Sequence, residues 1–290
     1  MDPTILKSMI EGVHLSVYAA IKPGAIHRLR LDKRIEYYVS NTIAAINHII
    51  DAIEYGEKIR RGDLAATSLG LGRLLSKGLR EAYRWLPNNV YPSFIVPQII
   101  YSLAISHSDI DSIIKDHGKL VRSLDLFIST TSWKEIKYFI DALKGVHRED
   151  MYEHLSSAGI SHIAGIGEGV SFRDVFRVLG SKWYAFISLD TRESKTYEYV
   201  KKLLDYYRKF RDANNAIIAL YLEMIMPRLP SWAKPYVEEA FKEGLMASRV
   251  GSKKLFELDL KLRKHGVSFN EYVGLLGIIT GLAVYEGLRA

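Results

Sequence analysis

The 290-residue chain has no cysteine, which excludes disulfides, cysteine-ligated zinc, iron–sulfur clusters and a thiol nucleophile at once. It has only eight prolines, and nowhere do proline and serine accumulate into a linker. Long apolar runs are missing too. The most apolar stretch, Tyr272 to Tyr285, is closed off by Glu271 and Glu286 and falls short of the roughly 20 apolar residues that span a bilayer. The first residues, MDPTILKSMIEG, show no basic start running into an apolar segment, so no secretory signal is expected and the chain reads as cytoplasmic, with no membrane partner. HExxH, GxSxG, Walker and zinc-finger spacings are all absent.

What is present is charge, unevenly placed, and helical periodicity almost throughout. The formal net charge is +7. Residues 22–34 (Lys22, Arg28, Arg30, Lys33 and Arg34 against Asp32) carry a local +4, and residues 249–264 carry another +4. Two basic segments far apart in sequence thus hold the excess, and convergence of the two on one polyanion is a natural expectation. Each alone is also what a solvated helix face looks like. The abundance of Lys, Arg, Glu, Ile and Tyr points to a thermophilic source.

Ile5, Met9, Ile10, Val13 and Val17 form the apolar stripe of a first helix, with Asp2 as its cap and Pro3 at its first position. Residues 33–60 read as one long helix, and 172–187 as another. Ser132-x-x-Glu135 and Ser268-x-x-Glu271 look like capping boxes. No run alternates with period two between turn signals, and no internal repeat is visible. The expected fold is all-α, a single compact multi-helix domain over 1–290.

Three segments invite a chemical reading. Lys22-Pro23-Gly24 breaks the helical pattern, and two readings are open. One is a helix stop, because proline cannot continue a helix and lysine suits the negative end of the dipole. The other is a phosphate holder, in which the turn offers backbone N–H groups while Lys22, His27 and Arg28 supply charge. The second segment, Gly165-Ile166-Gly167-Glu168-Gly169, lacks both the preceding strand and the final glycine of a dinucleotide fingerprint. Asp174 follows it, suited either to the first turn of a helix or to a magnesium site. The third is the acidic run Asp190, Glu193 and Glu198. Glu193 and Glu198 stand about 140° apart around a helix, so a metal there needs another carboxylate or substrate phosphates. Many tyrosines sit at apolar helical spacings, which suits a core better than a nucleic-acid stacking surface.

The order of these pieces resembles the triphosphoribosyl-dephospho-CoA synthase family in its smaller archaeal-type form. They are KPGAIHR (22–28), YYVS (37–40), TSLG (67–70), GIGEGVSFRDV (165–175), ESKTYEY (193–199) and LRKHGVS (262–268). The resemblance implies that the 2′-hydroxyl of dephospho-CoA attacks C1′ of the ATP ribose and adenine leaves, with ATP as substrate and Mg2+ as its metal. It implies nucleotide-phosphate binding by Lys22, Gly24, His27 and Arg28. Asp174, Glu193 and Glu198 become the catalytic candidates, with Asp174 and Glu193 as metal ligands. A late family signature close to NPGTTADL stands here as SFNEYVGL (268–275), and the Asp of a Pro-Asp-Thr segment is Ser231. These departures point to altered or lost catalysis with anion binding kept. The alternative is a non-catalytic helical protein that binds a phosphorylated ligand, RNA or a protein partner; a homo-oligomer is compatible with either.

Overall fold

In the computed structural model, residues 3–130, 132–160, 169–192 and 195–290 are described. Among them there is no strand, and the all-α expectation holds. Fourteen α-helices follow one another: α1 Pro3–Tyr18, α2 Arg34–Ala44, α3 Ile46–Arg61, α4 Leu71–Trp85, α5 Val96–Ser108, α6 His117–Ser129 and α7 Trp133–Gly145. After them come α8 Glu149–Ser157, α9 Phe172–Gly180, α10 Thr196–Phe210, α11 Ala213–Ile225, α12 Lys234–Lys242, α13 Arg249–Lys264 and α14 Glu271–Tyr285. Short 3-10 segments, among them Tyr184–Leu189 and Met226–Arg228, join several of them.

Three helices make the centre because they are apolar on every side. All residues from Val96 to Ser106 of α5 and from Tyr272 to Val284 of α14 are buried, and α11 is buried at all but two of its thirteen positions. The outer helices keep one apolar face. In α4, for example, Leu71, Leu74, Leu75, Leu79 and Ala82 turn inward while Arg73 and Arg80 face water.

The tightest packing joins α1 to α14, which run antiparallel: Gly277 lies against Ser16 and Val13, Gly281 against Ser8 and Met9. A Cβ on Gly12 would stand 2.2 Å from the Gly281 Cα, so only bare backbone fits at this crossing. The Gly277/Gly281 spacing therefore does what four-apart glycines allow, a close helix approach.

Several boundaries differ from the sequence-based expectation. The long helix over 33–60 is two helices with a break at Ala45 (φ −87°, ψ 7°). The span 172–187 ends as α9 at Gly180 and resumes as the 3-10 segment 184–189. Neither expected capping box forms. Glu135 accepts from Arg73 N–H at 2.9 Å and Arg73 Nε at 3.1 Å instead, capping the neighbouring α4, whose own N-cap is Gly70. Ser268 Oγ accepts from Asn270 Nδ2, and Asn270 caps α14 without a side-chain bond to the helix. The capping box that does form is Ser171 with Asp174, ahead of α9. Asp2 lies outside the described residues.

Candidate functional site

The break at Lys22-Pro23-Gly24 is a β-turn. Ala25 N–H donates to Lys22 O at 3.0 Å, and Gly24 has φ +76°. Proline followed by a left-handed residue is the type II arrangement, which calls for glycine at the second central position. A Cβ there would also meet the Phe269 ring at 2.8 Å. The turn is buried, and its backbone is used in full by other elements. Tyr221 Oη donates to Pro23 O at 2.7 Å, Phe269 N–H donates to Gly24 O at 2.8 Å, Gly24 N–H donates to Asp259 Oδ1 at 3.0 Å and Ile26 N–H donates to Asn270 Oδ1 at 2.9 Å.

The side chains follow the same pattern. Lys22 is fully buried and its Nζ donates to Val17 O at 3.0 Å and Ala19 O at 3.1 Å, carbonyls at the end of α1. These are the orphan acceptors that every helix C-terminus leaves, so the helix-stop reading has a complete physical account here. His27 Nε2 lies 3.3 Å from Asp259 Oδ2, and Arg263 pairs with the same oxygen. Arg28 is exposed. The two basic segments do meet, through the buried carboxylate of Asp259. That residue carried no sequence signal, being one acid among the cations of α13.

Burial holds the Lys22 ammonium well below its ordinary range, and the Arg28 charge adds to the effect. The unfolded chain therefore keeps a proton here that the folded chain releases, over a window reaching up to 10.5. The cost of the buried charge is full below that window and is relieved as pH rises through it. Lys22→Met should show this directly: between pH 8 and 10 the stability of the wild type should rise relative to the variant. Denaturant melts that keep a constant gap over that range would count against it.

A cleft of about 470 Å³ opens in front of the turn. Its floor is the start of α14, where Asn270 and Glu271 line it. Asn270 is the residue that also receives the Ile26 N–H, so the Lys22 turn braces this floor from behind. One wall is aromatic: Tyr38 stacks on Phe94 with centroids 4.3 Å apart and meets Tyr91 edge-on at 4.7 Å. Asn41 and Thr42 fix this wall, donating to Asn89 O and Phe94 O.

The other wall is cationic. Arg148, Lys182 and Arg228 reach it from the start of α8, the end of α9 and the end of α11. Arg148 is oriented by Asp150, at 2.8 Å from both Nε and Nη2, and donates Nη1 to Val90 O. The Arg228 guanidinium lies 4.7 Å over the Tyr184 ring and the Lys182 ammonium 4.9 Å from the Trp183 ring. Among the described residues neither Lys182 nor Arg228 has a carboxylate within ion-pair distance. Glu271 is the one acid on the cleft lining among the described residues. Burial pushes its carboxyl above the ordinary range, against the pull of its own N–H and of Arg228.

The sequence-predicted acids lie elsewhere. Asp174 is a capping residue: Oδ2 accepts from Ser171 N–H and Oγ–H, and Oδ1 accepts from Arg177 at 2.9 Å. Burial acts against its ionisation, yet these hydrogen bonds and the charges of Arg177 and Arg173 keep it below the usual carboxylate range. Arg177 in turn lines a hollow of about 550 Å³ beside the cleft, with Asp190 and Arg228. Glu198 is exposed in the first turn of α10. Glu193 and the Gly165–Gly167 segment lie outside the described residues.

Among the described residues no three His, Asp or Glu side chains come together to hold a metal ion. Both oxygens of Asp174 already have donors, and Glu193, the other expected ligand, lies outside the described residues.

Arg148, Lys182, Arg228 and Glu271 went unrecognised as site residues in sequence reasoning. The first three are single cations in unrelated segments. Glu271 does fall within SFNEYVGL, the stretch where the family signature is replaced. Comparison of the chain with protein-family models, with curated proteins and with solved structures returns no match. The fold and site define an all-helical protein with a cation-walled, aromatic-lined cleft, and no helix among the described residues is long and apolar enough to cross a membrane.

Proposed function

We propose that the chain binds a phosphorylated nucleotide or CoA-type ligand in this cleft, with the phosphates at Arg148, Lys182 and Arg228. The observation that carries the proposal is the convergence of three cations on a cleft with one acid, two of them with no carboxylate partner among the described residues. Charge-assisted hydrogen bonds to phosphate are among the stronger polar contacts, and the half-buried Tyr91 and Trp183 rings on the lining offer surface for a base.

Following the resemblance, the reaction is transfer of the triphosphoribosyl group of ATP to dephospho-CoA. The acceptor hydroxyl forms the new bond to C1′ as the bond to adenine breaks. On this reading Glu271 takes the hydroxyl proton, and the departing adenine takes up a proton at the ring nitrogen that leaves C1′. Magnesium would supply charge neutralisation on the triphosphate. A second reading, binding without turnover, is favoured by the replaced late signature and by the engagement of Asp174 in a helix cap.

Calorimetric titration with ATP and with dephospho-CoA tests the binding. Arg228→Ala should weaken the ATP complex roughly ten- to hundredfold while the melting temperature stays put, since Arg228 is exposed. An unchanged affinity would remove the cleft from consideration. Adenine release with both ligands and magnesium, followed chromatographically, separates the transferase from the binder. RNA that binds tightly, weakens steeply with salt and is not displaced by ATP would favour a nucleic-acid partner instead.

A further inference from the structure

Arg228 and Tyr184 form a partition with a different chamber on its far side. Behind them lies a recess of about 290 Å³ walled by Ile187, Tyr199, Met224, Pro227, Tyr272 and Leu275. Met224 and Leu275 are 4% and 6% exposed, so what they show is the base of a depression in the core and not a flat patch. Tyr272 is held in place by the Tyr184 ring, with centroids 4.5 Å apart. Among the described residues the charged groups on this lining are Arg228 and Lys195, both exposed, which places positive charge at the rim and apolar surface inside.

The same guanidinium thus borders a polar cleft on one side and an apolar recess on the other. Inorganic phosphate or a bare triphosphate uses only the first. We propose that the site takes an amphiphilic phosphate ester, with the anionic group at Arg228 and a short alkyl or prenyl arm lying past Tyr184 in the Met224–Leu275 recess. The inference rests on the reading that Arg228 holds a phosphate, and it adds the chemistry of the group attached to it. The recess is limited in size, at about 290 Å³. That favours a short chain over a membrane lipid.

The test is a titration series on the full chain with inorganic phosphate, methyl phosphate, butyl phosphate and hexyl phosphate, with ATP in parallel. Each methylene that enters the recess should tighten binding about fourfold, so hexyl phosphate, five methylenes longer, should bind up to roughly a thousandfold more tightly than methyl phosphate. Ile187→Asn and Tyr199→Ser, which alter the recess wall and leave Arg228 in place, should flatten the series while keeping the affinity for ATP. Equal affinity along the series, with ATP still bound, overturns the amphiphile and leaves the anion cleft standing. A chain-length gain that survives both variants puts the arm elsewhere and also overturns it. Failure of ATP and of every phosphate to bind removes both readings together.

Discussion

Asp259→Ala should lower the unfolding free energy by about 3–5 kcal/mol, the range expected when one partner of a buried charged cluster is removed. The carboxylate is fully buried and holds three groups that have no nearby substitute: His27 Nε2, the Arg263 guanidinium and the Gly24 N–H. His27 Nδ1 is already buried without a hydrogen-bond partner among the described residues, so the ring has nowhere to turn for compensation. Asp259→Asn should cost less, because an amide oxygen still accepts from Gly24.

The two variants also differ from the wild type in acid. Burial alone would raise the Asp259 carboxyl, but the hydrogen bonds from His27 and Gly24 and the charges of His27 and Arg263 bring it below its ordinary value of 3.8. A depressed folded-state value means stability that is present above 3.8 and is lost as pH falls through the folded value. Denaturant midpoints measured from pH 6 to pH 2 should therefore fall more steeply for the wild type than for Asp259→Asn. Parallel curves would show that the carboxyl titrates alike in the folded and the unfolded chain, and would count against the depressed value.

Gly12→Ala should be nearly as damaging, at about 3 kcal/mol and toward the upper end of what overpacking costs. The added methyl would meet backbone: Gly281 Cα and N at 2.2 Å and Gly277 O at 2.9 Å. A flexible side chain can rotate away from such a contact, whereas here α1 must move off α14. Gly266→Ala gives a control, since a Cβ there touches nothing within 4 Å and only its φ of +69° resists the change. If Gly12→Ala melts with the wild type, the two helices are less closely pressed together than described.

The parts that could be read from the sequence are those in which local chemistry decides. The apolar run from Tyr272 to Tyr285 announces a buried helix, and Gly277 with Gly281 announces a close neighbour. Lys-Pro-Gly announces a stop. Where tertiary contacts decide, the sequence is silent. Nothing in Asn41-Thr42-Ile43-Ala44-Ala45 resembles a helix breaker, yet Asn41 bonds to Asn89 O and Tyr91 N–H, and Thr42 bonds to Phe94 O. These contacts fix the end of α2 and the change of direction at Ala45. Glu135 has the spacing of a capping box for its own helix but caps α4, because Gly72 lets the two helices meet closely enough, with a Cβ position only 1.8 Å from Glu135 O.

The candidate site was harder to read for a related reason. Lys22, Gly24 and His27 are grouped in sequence, and the structure ties them to Asp259, Asn270 and the end of α1. Arg148, Lys182, Arg228 and Glu271 gather only once α8, α9, α11 and α14 are packed. No spacing rule links residues that far apart in sequence, and Asp174 shows how a residue in a suggestive place can have a sufficient local role as a helix cap.

The position of α14 has a further consequence, for synthesis. It is the centre of the molecule and the last of the fourteen helices to leave the ribosome. The crossing that fits Gly12 to Gly281 joins the first helix to the last, so the most intimate contact in the protein also has nearly the longest sequence separation. Such contacts close late and slow folding. Until residue 285 is made, the faces of α1, α10 and α11 that pack on α14 stay uncovered. A growing chain therefore cannot complete this core before α14 emerges, and until then depends on whatever shields exposed apolar surface in the cell.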